Sequence, residues 1–210
     1  MFTSLRERLA DKRSGELEGE GTADAGFTLI ELMVVLLIMG ILLAIAIPTF
    51  LGVAGGAKDR AAQSNLNTAL TNAKAYYGNN NQTYGTTASA ASGLASSEPD
   101  LTFTTGAPGA GNSIAVGTTT GGNGLMLTAY SANGNCWGVF TYETQWPTTQ
   151  PAIGGTSLPT AVNHSGTWYV LFNKGSASTS TSSGVCSVAN ALSTTATPAP
   201  TWSSAAFPAG

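Results

Sequence analysis

A single carboxylate, Glu31, lies near the start of an apolar run that extends from Phe27 to Ala57 without another charged residue. The 21 residues from Phe27 to Ile47, as a helix rising about 1.5 Å per residue, would cross a hydrocarbon core of about 30 Å. A charge at bilayer depth costs about 2.5 to 3.5 kcal/mol on insertion scales, so such a residue indicates a function and needs a partner. The run therefore predicts one membrane span with a functional glutamate near its end.

Residues 1–26 precede the apolar run as a charged leader, whereas a cleavable secretory signal has its apolar core before the cut. Removal of this leader would keep the span. Gly40 and Pro48 are expected to weaken or bend the helix, and Gly52 and Gly55-Gly56 to interrupt it further on. The alternative is a plain single-span anchor whose glutamate is tolerated through the helix dipole and snorkelling.

The junction from Gly26 to Pro48 resembles that of the type IV pilin family, which includes the pseudopilins of type II secretion systems. Phe27 follows the glycine, Glu31 is the fifth residue after it, and a proline closes the apolar block. The resemblance implies that a prepilin peptidase cuts between Gly26 and Phe27, that the new Phe27 terminus is methylated, and that Glu31 acts in assembly. It also implies a partner for Glu31, the freed α-amino group of a neighbouring copy.

The implied fold is α+β: a long N-terminal helix, membrane-spanning in its first half and amphipathic in its second, packed on a small antiparallel sheet. The implied function is that of a structural subunit of a type IV pilus, without catalysis. Its partners would be further copies, other pilins, the peptidase, the assembly platform and the membrane. The precursor would lie in the cytoplasmic or inner membrane, and the assembled fibre would be extracellular.

Two alternatives stay open. The first is a pseudopilin of a type II secretion or DNA-uptake pseudopilus. The resemblance implies that a major secretion pseudopilin would carry acidic calcium ligands in its C-terminal loop. The stretch 176–183 has no acid, which favours a pilus subunit. The second is a membrane-tethered binding module that does not polymerise and exposes Trp137, Trp146 and Trp168.

The chain is expected to divide into four parts: a leader over 1–26, a span or filament-core helix over 27–53, a head over 54–192 and a flexible tail over 193–210. Beyond the span, apolar residues recur at three- and four-residue steps from Ala62 to Tyr77, which predicts a helix facing a sheet and ending at 78–81.

The rest of the head is expected to be mostly loop and strand. Residues 78–112 are predicted to form a long loop with at most a short strand over 101–104. Alternating apolar residues predict an antiparallel meander of three or four strands, with strands over 124–131, 136–143 and 167–173. The tail has little to bury except Trp202 and Phe207.

Cys136 and Cys186 are the 2 cysteines of the chain. Both lie beyond the span, which favours one disulfide made in an oxidising compartment. Two buried free thiols are the alternative.

Residues that could carry catalysis or bind a metal, a cofactor or nucleic acid are few. His164 lies in a turn-like stretch without a carboxylate or cysteine at ligand spacing. Glu98 and Asp100 supply too few oxygens for calcium, which takes six to eight. More than half of the 8 basic and 11 acidic residues precede Phe27, and the later cations are too scattered to neutralise many phosphates. These cations are Lys58, Arg60, Lys74 and Lys174.

Overall fold

The computed structural model describes residues 27–109, 111–172, 186–193 and 199–208. The leader with Gly26, the stretch 176–183 and part of the C-terminal tail lie outside the described residues. The chain divides into two compact units, Met1–Pro48 and Thr49–Gly210.

The first helix, α1, extends from Leu29 to Asn79. The predicted interruption near Gly52 and Gly55-Gly56 is therefore wrong, and α1 also continues through Gly40 and Pro48. A glycine costs about 1 kcal/mol and a proline about 3 kcal/mol inside a helix. Such costs do not end a helix whose flanking turns are apolar and whose later face is packed against a core.

Gly55 has a steric reason to be a glycine inside this helix. A Cβ atom at Gly55 would lie 2.9 Å from Oδ1 of Asn133, in the turn between two strands of the head. The turn thus approaches the helix at a point without a side chain. Close packing, and not helix termination, explains this glycine.

The head contains one six-stranded sheet and a separate hairpin. The strands in chain order are β1 (Thr102–Thr104), β2 (Ser113–Thr118), β3 (Gly124–Tyr130), β4 (Cys136–Tyr142), β5 (Ala152–Ile153), β6 (Thr156–Ser157), β7 (Gly166–Phe172) and β8 (Thr201–Ser203). The sheet has the order β1-β2-β3-β4-β7-β8, and β5 and β6 form the hairpin. β1 and β2 are parallel, and the other neighbouring strands of the sheet are antiparallel. The α+β prediction and the β3-β4-β7 meander are confirmed, but the predicted strand number is too low.

Both faces of the sheet are covered, so the head has two apolar cores. Leu125 and Leu127 of β3 belong to the core that contains Leu66 and the rest of the apolar stripe of α1. Met126 and Tyr130 belong to the opposite core. The alternation predicted for this strand is confirmed, because successive side chains of a strand lie on opposite faces.

A second helix, α2, extends from Thr87 to Ser97, where a loop was predicted. The Oγ1 atom of Thr86 caps it by accepting a hydrogen bond from the Ser89 backbone N–H at 3.2 Å. Ala90 and Leu94 are fully buried. The loop prediction is wrong because alanine and serine form only a weak apolar stripe, whereas tertiary packing stabilises the helix.

The predicted disulfide between Cys136 and Cys186 is present, with the two Cα atoms 5.2 Å apart. It joins the start of β4 to the segment before the short helix α3 (Val188–Leu192). The hydroxyl of Thr128 donates to the Cys186 carbonyl oxygen at 2.7 Å in the same buried region. A central strand thus holds the C-terminal segment by a covalent bond and a hydrogen bond.

The described part of the tail has more contacts than the sequence predicted. Residues Thr201–Ser203 form β8, which pairs with β7. The ring of Phe207 lies 4.7 Å from the ring of Tyr169 and 5.7 Å from that of Trp137. The prediction missed this edge strand because the proline-rich composition of the region hides a three-residue strand.

Candidate functional site

The N-terminal end of α1 is organised around Thr28 and Glu31. The Oε2 atom of Glu31 accepts the Thr28 backbone N–H at 2.9 Å and the Thr28 hydroxyl at 2.7 Å. In return, the Glu31 backbone N–H donates to Thr28 Oγ1 at 3.3 Å. This reciprocal arrangement is a capping box, which satisfies donors that a helix start leaves unpaired. The spacing of Thr28 and Glu31 is its sequence signal, and the sequence analysis missed it.

Glu31 therefore has donors within its own chain. The pairing of Glu31 with the α-amino group of a neighbouring copy stays a prediction, and Thr28 adds two hydrogen bonds to this carboxylate within the same chain. Both bonds use Oε2, and no described residue donates to Oε1. Since an ionised carboxylate has about four lone-pair sites, Glu31 can keep its cap and still accept a further donor.

The apolar residues around this cap are exposed. Phe27 has 89% of its surface exposed, and the large apolar residues from Leu29 to Val53 are all exposed. Among the described residues, one helix is long and apolar enough to cross a membrane, and that helix is α1. Apolar surface of this extent indicates an interaction with lipid or protein. Phe27, Thr28 and Glu31 lie together at one end of it.

The head holds a second charged position that the sequence analysis did not single out. Asp59 is 8% exposed and accepts hydrogen bonds from Asn135 Nδ2 at 2.8 Å, Asn133 Nδ2 at 3.2 Å and Trp137 Nε1 at 3.2 Å. These three N–H donors satisfy the buried carboxylate. The residue ties α1 to β4 and to the turn before it.

The tryptophans that the tethered-module alternative needs are largely covered. Trp137 and Trp168 have only 1% and 7% of their surface exposed, and Trp146 is half-buried with its ring 5.2 Å from that of Tyr142. The predicted exposure of these three residues is wrong for Trp137 and Trp168. Trp168 donates to the His164 carbonyl oxygen at 3.1 Å, so its polar atom is also used inside the head.

The remaining predicted positions are not brought together. His164 is exposed, and its ring lies 4.5 Å from that of Trp168. The Glu98 carboxylate accepts from Asn72 Nδ2 at 2.8 Å, whereas Asp100 is exposed. Within residues 27–109, 111–172, 186–193 and 199–208, no group of three or more His, Cys, Asp and Glu side chains could hold a metal ion.

Residues 22–47 match the family model of the prokaryotic N-terminal methylation motif. The comparisons with curated proteins and with solved structures found no match. The motif confirms the resemblance and supports a type IV pilin-like protein or pseudopilin, and it points to a structural subunit. With the apolar helix, it fits an inner-membrane precursor.

Proposed function

We propose that the chain is a subunit of a type IV pilus. The prepilin peptidase removes residues 1–26 and methylates Phe27, and the subunit then leaves the membrane and polymerises through α1. The match to the methylation motif carries this proposal, together with the exposed large apolar residues of α1 from Leu29 to Val53. In the polymer, helices of neighbouring copies cover the apolar surface that lipid covers in the precursor.

Glu31 would determine the axial register of neighbouring α1 helices in that polymer. Cleavage before Phe27 creates a positive α-amino group, and Oε1 of a neighbour's Glu31 can accept it while Oε2 stays bound to Thr28. An uncompensated charge in a dry helix bundle is costly. The register that pairs these two groups is therefore favoured, as buried polar residues fix alignment in coiled coils.

The absence of any acid in the sequence 176–183 favours a pilus over a secretion pseudopilus. The filament would be extracellular and would include further copies or other pilins, and the assembly platform would extract each subunit from the membrane. Attachment of the cell to surfaces is the corresponding biological role. Electron microscopy of sheared surface fibres, with this chain identified in them by mass spectrometry, tests this assignment against a short pseudopilus.

Three variants separate the charge of Glu31 from its capping role. Glu31→Gln keeps an acceptor for Thr28 but removes the charge, and we expect normal membrane insertion with little or no sheared filament. Glu31→Ala should remove both. Thr28→Ala should weaken the cap by about 1 kcal/mol but keep the carboxylate and hence the filaments.

The readout is the amount of this chain in sheared filaments and in membranes, measured by immunoblot. A normal filament yield from Glu31→Gln would contradict the pairing. Loss of filaments from Thr28→Ala, with Glu31→Gln unaffected, would assign the role to the cap instead. An intact Met1 on the chain in cells that carry the peptidase would favour a tethered protein that does not polymerise.

A further inference from the structure

Few charged side chains occur in the described part of the head, and most of them have a partner. Asp59 accepts three hydrogen bonds, Glu98 one from Asn72, and Glu143 one each from Tyr84 and Thr141. Lys74 donates to the Thr167 hydroxyl at 3.1 Å. Among the described residues, no hydrogen bond or ion pair reaches the exposed side chains of Lys58, Arg60 and Asp100.

Arg60 lines a cavity of about 420 Å³ beside α1. Gly56, Gln63 and Asn133 line it too, and Phe207 forms an aromatic wall. Asp59 also lines this cavity, and its carboxylate accepts hydrogen bonds from three N–H donors of its own chain. A guanidinium presents donors in a fork that matches a carboxylate. The cavity is therefore suited to an acidic side chain that enters from outside.

Asp100 is exposed, and among the described residues none donates a hydrogen bond to its carboxylate, whereas the exposed Glu143 accepts two. It follows α2 and precedes β1, and its main-chain carbonyl oxygen accepts from Asn112 Nδ2. This bond holds the backbone of the loop while the carboxylate remains exposed. The neighbouring Glu98 is half-buried and its carboxylate already accepts one hydrogen bond from Asn72, so it is less accessible than Asp100.

We propose that Asp100 of one copy enters the Arg60 cavity of a neighbouring copy. The inference rests on the proposed function, since it assumes a polymer. Donor and acceptor are different surfaces of the same chain, and contacts of this heterologous kind produce open helical filaments unless the rotation closes into a ring. The head thus adds an electrostatic contact to the helix packing of the fibre and restricts which neighbours fit.

Charge reversal tests the pair in the full chain expressed in cells. Arg60→Glu and Asp100→Arg should each lower the ratio of sheared filament to membrane-held subunit by about two- to fivefold, the range for one exposed ion pair. The double variant should recover the wild-type ratio. Lys58→Glu is the matched control: it makes the same change of charge two residues away, outside the cavity, and should leave the ratio unchanged.

The response to salt and the effect of a larger side chain in the cavity test the contact independently. Wild-type filaments should lose subunits in about 1 M salt, where the Debye length is about 3 Å, whereas filaments of Arg60→Gln should respond less to salt. Gly56→Leu should block the cavity and lower the filament ratio, because a Cβ there meets no atom within 4 Å in its own chain. Gly78→Leu, also in open space, is the control for the larger side chain.

No recovery in the double variant, or an equal loss from Lys58→Glu, would overturn the contact. If, in that case, filaments still form in the wild type but not in Glu31→Gln, the proposed function remains supported. No filaments from the wild-type chain would overturn the proposed function and this inference together.

Discussion

Replacing Asp59 by alanine should strongly destabilise the head. Asn135 and Trp137 are buried and donate to this carboxylate, and each donor that loses its acceptor costs about 1 to 3 kcal/mol. We therefore expect Asp59→Ala to lower the free energy of unfolding by about 4 kcal/mol, a change of nearly a thousandfold in the unfolding equilibrium constant. Asp59→Asn keeps one acceptor oxygen and should cost about 2 kcal/mol.

The assay is guanidinium unfolding of the full chain in detergent, followed by tryptophan fluorescence. Asp100→Asn is the matched control, since it makes the same substitution at an exposed position and should stay within about 0.5 kcal/mol of the wild type. If Asp59→Ala shifts the midpoint no more than this control does, the three hydrogen bonds do not hold α1 to β4. That result would refute the assignment of Asp59 as a fixing residue of the head.

Three further predictions concern the stability of the head. Alanine at both Cys136 and Cys186 should lower the free energy of unfolding by about 4 kcal/mol, because the disulfide closes a loop with a sequence separation of 50. The melting temperatures of this variant and of the reduced wild type should agree. Burial, and then the charge of Glu143, raises the pKa of Tyr84. Unfolded tyrosine ionises near pH 10, so stability should be complete below about pH 10 and fall by up to about 1.4 kcal/mol per pH unit above it. Urea midpoints measured across this range should show a weaker fall for Tyr84→Phe, and an equal fall would contradict the assignment. Gly93→Ala should lower the free energy of unfolding by about 1 to 3 kcal/mol, because its Cβ would meet the Tyr76 ring. The control Gly78→Ala should instead stabilise α1 by up to about 1 kcal/mol. A melting temperature for Gly93→Ala equal to that of the wild type would contradict the packing.

The elements with strong patterns in the sequence were predictable from it. The helical stripe from Ala62 to Tyr77 and the alternation in β3 each follow a period that one packed face enforces. The two cysteines allowed only one intramolecular pair. The methylation motif was recognisable because the junction combines several rare features within a few residues.

The missed elements have weak patterns of their own. α2 consists mainly of alanine, serine and threonine, and its stability comes from burial of Ala90 and Leu94. β8 has three residues and exists because β7 offers a free edge. The role of Asp59 depends on Asn133, Asn135 and Trp137, which lie more than 70 residues away in the chain, so local sequence could not reveal it.

Gly55 and Thr28 show two different limits of sequence reasoning. The glycine was interpreted as a helix break because its packing against Asn133 is visible only in three dimensions. The capping box of Thr28 and Glu31 was accessible from spacing alone, because a threonine and a glutamate three residues apart at a helix start are its signal.

The most direct test of the account is mass spectrometry of the N-terminal peptide of this chain, isolated from sheared surface filaments. We expect a peptide that begins at Phe27 and carries one methyl group on its α-nitrogen. A chain that still begins at Met1, or that is missing from the filaments while present in the membrane, would contradict it.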